Sequence, residues 1–174
     1  MNRIILIYGS IAGLVVAGLM MMTMQIGHEN KDFAMGEVLG YLGMFIALSM
    51  IFLAVHQQRK LNGGVMKFGK AFLIGLGITV IASLFYSTAW EVYLANSEGD
   101  FITEYWTEVM EQMKAKGASD QELDAAKEEM AMWSEYYKNP AIRFGMTMME
   151  LIPVGIVFSL VAAFIFKRKP KQLV

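Results

Sequence analysis

Residues 142–166, IRFGMTMMELIPVGIVFSLVAAFIF, decide the fold of this 174-residue chain. Only two of these side chains, Arg143 and Glu150, carry a charge. A helix needs about 20 mostly apolar residues to cross the hydrocarbon core of a bilayer, which is about 30 Å thick. Because lipid offers no hydrogen bonds to an open strand, this stretch predicts a transmembrane helix.

Three further stretches have the same character, at about residues 4–26, 38–55 and 71–94. Hydrophobic residues make up 56% of the chain and charged residues 18%, whereas soluble domains have about 45–50% and about 25%. This composition excludes a disordered chain, a nucleic-acid-binding protein and an ordinary soluble enzyme domain. We therefore predict an all-α fold, a four-helix transmembrane bundle that forms a single membrane domain over residues 1–174.

The first stretch, 4–26, has an alternative interpretation as a cleaved signal peptide. The apolar region of a signal peptide is only about 7–15 residues long and ends in small residues. Here the run is longer, and three methionines, residues 20–22, occupy the region where a cleavage site would lie. A retained helix is the favoured interpretation.

Charges between the stretches predict how the chain is threaded through the membrane. Lys and Arg give the 56–70 loop and the tail after residue 166 a net charge of +4 each, whereas residues 27–37 carry −2 and residues 96–141 carry −7. Because Lys and Arg near span ends stay cytoplasmic, we expect both termini in the cytoplasm and residues 96–141 outside. The basic clusters also suit anionic lipid headgroups, but a role in topology is the favoured interpretation.

Residues 99–139 predict an extracytoplasmic helical hairpin between the third and fourth transmembrane helices. Apolar side chains recur there along two stripes with helical spacing. The stripes consist of Ile102, Trp106, Val109 and Met113, and of Leu123, Ala126, Met130, Trp133 and Tyr137. They pack on each other, lie on the bilayer or bind a partner, and mutual packing is favoured. Trp106, Trp133 and Tyr137 are the expected contact residues of the hairpin.

The ends of the two hairpin helices have local signals. Gly117 suits the left-handed position that ends a helix. Ser119, with Glu122 three residues later, is a capping-box pattern that begins the next helix. The residue before a proline avoids the helical region, so the pair Asn139–Pro140 ends that helix.

Small residues on the first two transmembrane helices predict close helix packing. Gly9, Gly13 and Ala17 recur every four residues, and Gly36 and Gly40 have the same spacing on the second helix. Small side chains let helix backbones approach each other, which promotes association in lipid. The contact lies either inside the bundle, the favoured interpretation, or between the two copies of a homodimer.

Charged residues within the spans are the candidate functional residues. Glu150 lies about eight residues, or roughly 12 Å, inside the fourth helix, where a charge costs about 2.5–3.5 kcal/mol on insertion scales. Glu91 and Arg143 lie nearer the same membrane face, so the three side chains predict a polar cluster beside Pro153, which interrupts the helix ladder. An intramembrane acid is a functional hypothesis by default. A neutral or salt-bridged glutamate that joins the third and fourth helices is the favoured alternative.

The sequence offers no set of catalytic or metal-binding residues, so we expect neither an enzyme nor a cofactor. It has no cysteine, and its two histidines, His28 and His56, are predicted at opposite membrane faces. It contains no HExxH, GxxxxGK or GxSxG pattern. The thioethers of its 16 methionines suit Cu(I), but methionine is more often a filler of irregular gaps.

Three stretches carry a family resemblance. The loop before the third span has the sequence GGVMKFGKAF over residues 63–72. The fourth span contains ELIPVGI over residues 150–156 before a basic tail, and the first span carries Gly9, Gly13 and Gly18. With these features the chain resembles the bacterial family of domain of unknown function 4199 over nearly its whole length. The resemblance implies a four-helix protein of the bacterial inner membrane with a variable outer loop, and it supplies no catalytic residues.

Together these features predict a non-catalytic inner-membrane protein that acts through an unidentified membrane or periplasmic protein partner, bound by the outer hairpin. The alternative is a small oligomeric carrier or channel that uses the region of Glu150 and Pro153. An intramembrane enzyme is a third class, for which the sequence offers no residues. The lipid bilayer is an expected partner, and nucleic acid is not.

Overall fold

The structure is a computed structural model that describes residues 1–30, 33–97 and 101–168, without the side chains of residues 25–30, 33–35 and 37. Seven helices follow one another along the described chain. Their bounds are Asn2–Asn30 (α1), Phe33–Leu48 (α2), Met50–Leu61 (α3), Phe68–Asn96 (α4), Phe101–Ala115 (α5), Asp120–Tyr137 (α6) and Pro140–Phe166 (α7). The prediction of an all-α fold is confirmed. Parts of the 27–37 loop and of the basic tail lie outside the described residues.

Four helical stretches of the described chain are long and apolar enough to cross a membrane, as predicted. They are Asn2–Met24, Val38–Leu61, Phe68–Asn96 and Pro140–Phe166. The second stretch comprises most of α2 and all of α3, with a turn at Ser49 between them. The Ser49 hydroxyl donates a hydrogen bond to the carbonyl of Ile46 at 2.6 Å. A side chain that bonds a carbonyl of its own helix bends the helix, which accounts for the interruption.

Helix α4 is the centre of the bundle and packs against both α1 and α7. On the α1 side, a Cβ atom built at Gly9 would lie 2.8 Å from the Cβ of Ile81. One built at Gly13 would lie 2.7 Å from the Cβ of Phe85. The missing side chains let the two backbones approach each other, while Ala17 is half-buried. The close contact of the two α1 glycines is therefore made inside this chain.

The contact between α4 and α7 is closer and reciprocal. A Cβ atom built at Gly75 would lie 2.7 Å from the Cβ of Ser159, and one built at Gly155 would lie 2.7 Å from the Cβ of Thr79. The Thr79 hydroxyl donates to the Gly75 carbonyl at 3.0 Å, and the Ser159 hydroxyl donates to the Gly155 carbonyl at 2.6 Å. Each hydroxyl is satisfied by its own helix, so both stay buried without an unpaired group.

The end of the bundle opposite the hairpin is rich in Lys and Arg, and we call it the basic end. There Gly63 and Gly64 have φ angles of +67° and +85°, a region that glycine adopts at little steric cost. After this turn, the backbones of Met66 and Arg168 pair through hydrogen bonds of 3.1 and 2.8 Å. Residues 63–67 of the GGVMKFGKAF stretch thus form the turn between α3 and α4, and Met66 joins this turn to Arg168, which follows α7.

Helices α5 and α6 form a helical hairpin between α4 and α7. The Ser119 hydroxyl accepts from the backbone N–H of Glu122, and the Glu122 carboxylate accepts from the backbone N–H of Ser119, which confirms the capping box. Gly117 has a φ angle of +80°, as its position at the end of α5 predicts. The side chain of Asn139 accepts from the N–H of Ala141 at 3.0 Å, so it also caps the start of α7.

The two hairpin helices pack against each other. Ile102 and Trp106 of α5 and Ala126 of α6 are buried. All three belong to the apolar stripes of the sequence, and the packing of the stripes on each other stays a prediction. We call the end of the bundle that lies next to this hairpin the hairpin end.

Candidate functional site at the hairpin end

A cavity of about 390 Å³ lies at the hairpin end, between the bundle and α5. Aromatic side chains predominate in its lining. They are Tyr41, Tyr86, Trp90, Phe101, Tyr105 and Tyr137. The site therefore combines large rings from α2, α4, α5 and α6 in one space.

The roof of the cavity is one face of α5. Phe101, Tyr105, Glu108 and Gln112 follow one another at helical spacing and line the cavity. The ring of Phe101 packs edge to face on that of Trp90, with ring centroids 4.9 Å apart. This face lies next to the stripe that α5 packs on α6. Helix α5 therefore uses two neighbouring faces, one that covers the cavity and one that packs on α6.

The floor of the cavity carries Glu150 of α7. The Tyr86 hydroxyl of α4 donates to Glu150 Oε2 at 3.2 Å. Glu150 keeps an exposed surface because it lines the cavity, whereas Tyr86 and the neighbouring Thr147 are buried. The described lining contains two carboxylates, Glu108 and Glu150, and no Lys, Arg or His. Both charged side chains in the described part of the lining are therefore acidic.

The α2 wall is formed in part by glycine. Gly36 and Gly40 line the cavity, and a Cβ atom built on either would meet no atom within 4 Å. These are the small residues predicted to pack against another helix. In the structure they leave open space at the cavity wall. A side chain at position 40 would take up part of this space without a clash at its Cβ.

An ion pair beside the cavity joins α4 to α7. Arg143 donates from Nε to Glu91 Oε1 at 2.8 Å, and from Nη2 to the other carboxylate oxygen. Its Nη1 donates to the carbonyl of Tyr137 at 2.9 Å, so one guanidinium links its own helix, α7, to α4 and α6. The structure thus brings Glu91 and Arg143 together, as the sequence predicted, but it pairs Glu150 with Tyr86 instead.

The rim of the cavity contains a second polar contact. The indole Nε1 of Trp90 donates to the hydroxyl oxygen of Tyr137 at 2.9 Å. Burial raises the pKa of Tyr137 to about 12, so the phenol stays protonated at neutral pH. The neutral hydroxyl satisfies the indole N–H, and the contact fixes both rings at the cavity edge.

Other predicted residues lie outside the cavity. Pro153 is exposed, one turn beyond Glu150, and does not line the cavity. Trp133 is half-buried and donates from its indole to Glu129 at 3.1 Å. Of the three predicted hairpin contacts, Trp106 is buried, whereas Trp133 and Tyr137 are half-buried. In the described part of the chain, no three His, Asp or Glu residues lie close enough to hold a metal ion.

Sequence reasoning missed Tyr86 and the roof face of α5. Tyr86 lies 64 residues from Glu150 along the chain, and no local pattern indicates that contact. The roof face did have a signal. Phe101, Tyr105 and Glu108 recur at helical spacing, just as the neighbouring apolar stripe does.

Comparisons with known proteins agree with the predicted resemblance. The model of the family described as Protein of unknown function (DUF4199) matches residues 7–168. No curated protein and no solved structure matches the chain. The matched range includes the positive-φ glycine turn, the α4–α7 contact and every described residue of the cavity lining. The chain therefore belongs to the DUF4199 family of proteins of unknown function.

Proposed function

We propose that this membrane protein is non-catalytic and binds a small ligand in the cavity beneath its hairpin. The cavity itself carries the proposal. Its volume of about 390 Å³ falls within the range of about 300–1,000 Å³ that is usual for ligand sites. Such sites combine apolar and aromatic walls with a few polar groups that orient the ligand. Tyr86 and Glu150 supply polar groups of this kind at the floor.

The geometry supports binding better than transport through the bundle. A path from the cavity to the basic end would have to separate α4 from α7. Those helices approach so closely at Gly75 and Gly155 that a single added Cβ would clash. Packed interiors resist such separation because they are nearly as dense as organic crystals. A carrier or channel would therefore need a second copy of the chain to form its path.

We place the protein in the bacterial inner membrane, with both termini cytoplasmic and the hairpin outside. The strongly basic and strongly acidic segments of the sequence support this orientation. The chain has no cysteine, so single cysteines are clean probes. A membrane-impermeant maleimide applied to intact cells should label Glu128→Cys, and it should spare Lys60→Cys until the cells are broken. Labelling of Lys60→Cys in intact cells would reverse the orientation.

The binding proposal is tested with a pair of glycine variants. A Cβ atom at Gly40 or at Gly18 would meet no atom within 4 Å, but of the two only Gly40 lines the cavity. We would purify the wild type, Gly40→Leu and Gly18→Leu from their membranes and extract bound small molecules for mass spectrometry. We expect one compound to be enriched in the wild type and Gly18→Leu and absent from Gly40→Leu. Identical extracts from all three would refute the proposal.

A second candidate function is docking of a protein partner on the hairpin, in the membrane or the periplasm. The observation that favours it is a pair of exposed apolar side chains one turn apart on α6, Met132 at 47% and Tyr136 at 46% exposed. A photoreactive residue at position 136 should cross-link one foreign protein reproducibly. Lys127 is the control, because it is exposed about half a turn away around the same helix. Equal cross-linking from both positions, or none from 136, would count against docking.

A homodimer has less support than a partner protein. The α1 glycines are covered by α4 within the chain, and the α2 glycines line the cavity. Neither set is left free to form the close backbone contact that a glycine-based dimer needs.

A further inference from the structure

We propose that the cavity at the hairpin end binds an organic cation, an ammonium group attached to an apolar body. This inference rests on the proposed function, since it names the class of ligand that the cavity takes. It is carried by three features of the cavity, namely its charge, its rings and its size.

The first feature is a pair of acidic side chains. Glu108 lies in the roof and Glu150 in the floor, and the described lining holds no basic side chain. Glu150 accepts a hydrogen bond from Tyr86 and forms no ion pair with any Lys or Arg in the described part of the chain. Arg143 is already matched, because it binds both carboxylate oxygens of Glu91. A carboxylate held at membrane depth without a counter-ion favours a ligand that brings a positive charge.

The second feature is the set of aromatic rings around the carboxylates. The faces of Trp, Tyr and Phe attract cations within about 6 Å, and the attraction is strongest where water is excluded. Trp90 is held by hydrogen bonding to Tyr137 and by the ring of Phe101. These rings are fixed before a ligand arrives, so ordering them costs little on binding. An anion would face both the electron-rich rings and the two carboxylates.

The third feature is size. A bare metal ion would leave most of the approximately 390 Å³ unfilled, and the glycine wall at Gly36 and Gly40 adds apolar space. An ammonium group with a hydrocarbon or aromatic body fits both the acids and this space. Two kinds of molecule carry such an ammonium group. One is a bilayer phospholipid with an ammonium headgroup, and the other is a free amine from the aqueous phase.

The test uses three probes that share one benzene ring and differ in charge. They are benzyltrimethylammonium (+1), benzyl alcohol (0) and benzenesulfonate (−1). Each is titrated by calorimetry into the full chain in nanodiscs that contain only phosphatidylglycerol. We expect saturable binding of the cation, binding of the alcohol that is about tenfold weaker or less, a difference of about 1.4 kcal/mol, and no binding of the anion.

Variants locate the binding. Glu150→Gln should weaken binding of the cation about tenfold, and Gly40→Leu should abolish it, while Gly18→Leu should bind like the wild type. If Glu150→Gln does not fold, Glu108→Gln serves the same purpose from the roof. Addition of phosphatidylethanolamine to the nanodiscs then separates the two sources. Weaker apparent binding of the probe supports the lipid headgroup, and unchanged binding supports a free amine.

The failures of the two proposals are distinguishable. If benzyl alcohol or benzenesulfonate binds as tightly as the cation, and Gly40→Leu prevents this, the cavity binds ligands but does not select cations. That result overturns the inference and leaves the proposed function in place. If no probe binds to the folded wild type, the inference is wrong. If the extracted compounds are also the same in all three glycine variants, both proposals fail.

Discussion

Replacement of Gly155 by alanine tests the closest contact in the bundle. The added Cβ would lie 2.7 Å from the Cβ of Thr79, and the outer atoms of that threonine lie closer still. Carbon atoms in contact normally stay about 3.5–4.0 Å apart, so something must move by about 1 Å. Thr79 is held in place, because it is 1% exposed and its hydroxyl bonds to the Gly75 carbonyl. We therefore expect α4 and α7 to separate.

The size of the effect follows from two opposing contributions. Overpacking of this kind costs about 1–3 kcal/mol, and it also opens the reciprocal contact between Gly75 and Ser159. Alanine in place of glycine stabilises a helix by about 1 kcal/mol, because alanine has the higher helix propensity. A matched control isolates the first contribution. Gly145 lies on the same helix, is exposed and has no atom within 4 Å of a built Cβ. We expect Gly155→Ala to be about 2–3 kcal/mol less stable than Gly145→Ala.

The assay is thermal unfolding of the detergent-solubilised chain, followed by the fluorescence of its three tryptophans. For a chain of this size 1 kcal/mol corresponds to about 2–4 °C, so the two variants should melt about 4–12 °C apart. In the double variant Gly155→Ala/Thr79→Ala the loss should be smaller than the sum of the single losses, because the two closest atoms of Thr79, Cγ2 and Oγ1, are gone and only its Cβ still crowds the new side chain. The reasoning is refuted if Gly155→Ala melts at or above Gly145→Ala, or if the two single effects simply add.

Three further predictions concern the hairpin and its attachment. Glu91→Gln should lower the free energy of unfolding by about 1–2 kcal/mol in chemical denaturation, because the ion pair with Arg143 is only partly exposed. The double variant Glu91→Gln/Arg143→Gln should lose less stability than the sum of the two single variants. Strictly additive losses would show that the two side chains do not interact. In a carbon NMR titration, the pKa of Glu122 should lie below its ordinary 4.5 because Ser119 bonds its carboxylate, and Ser119→Ala should raise that pKa. Since the folded-state pKa is lowered, the capping box stabilises the fold at neutral pH and is lost as the pH falls through that pKa; an unchanged value in the variant would contradict this. With its pKa raised to about 12, Tyr137 should ionise after the exposed tyrosines in an alkaline absorbance titration, and Tyr137→Phe should remove that late step. Because this folded-state pKa is raised, stability should fall as the pH rises from about 10 towards 12.

Local signals in the sequence were sufficient for the helices and their ends. The capping box needs only Ser119 and Glu122, three residues apart, and the left-handed turn needs only Gly117. Each signal acts within one turn of backbone, so neighbouring residues determine it. Apolar runs long enough to cross a bilayer likewise define the spans without knowledge of the fold. The turn at Ser49 was missed because a single serine in an apolar run is a weak signal.

The site depends on contacts between distant residues, so the sequence predicted it only in part. Glu91 and Arg143 were identified because charges in apolar spans are costly and need partners. Glu150 was identified for the same reason, but its partner Tyr86 is one of seven tyrosines, and spacing along the chain does not distinguish it. Gly40 had the pattern of a packing residue. Its role at the cavity wall depends on where α2 lies relative to α5, which no local pattern records.

The cavity and the tight α4–α7 contact have a common origin in one face of α4. Buried residues along that face are small near the basic end, at Gly75, Thr79 and Ser83, and aromatic near the hairpin end, at Tyr86 and Trp90. Where the side chains are small, the backbones of α4 and α7 touch. Where the side chains are large, the rings hold the neighbouring helices apart, and space remains between them at Glu150. A change from small to large residues along one helix face is visible in a sequence, and it indicates the end of a bundle at which a cavity can form.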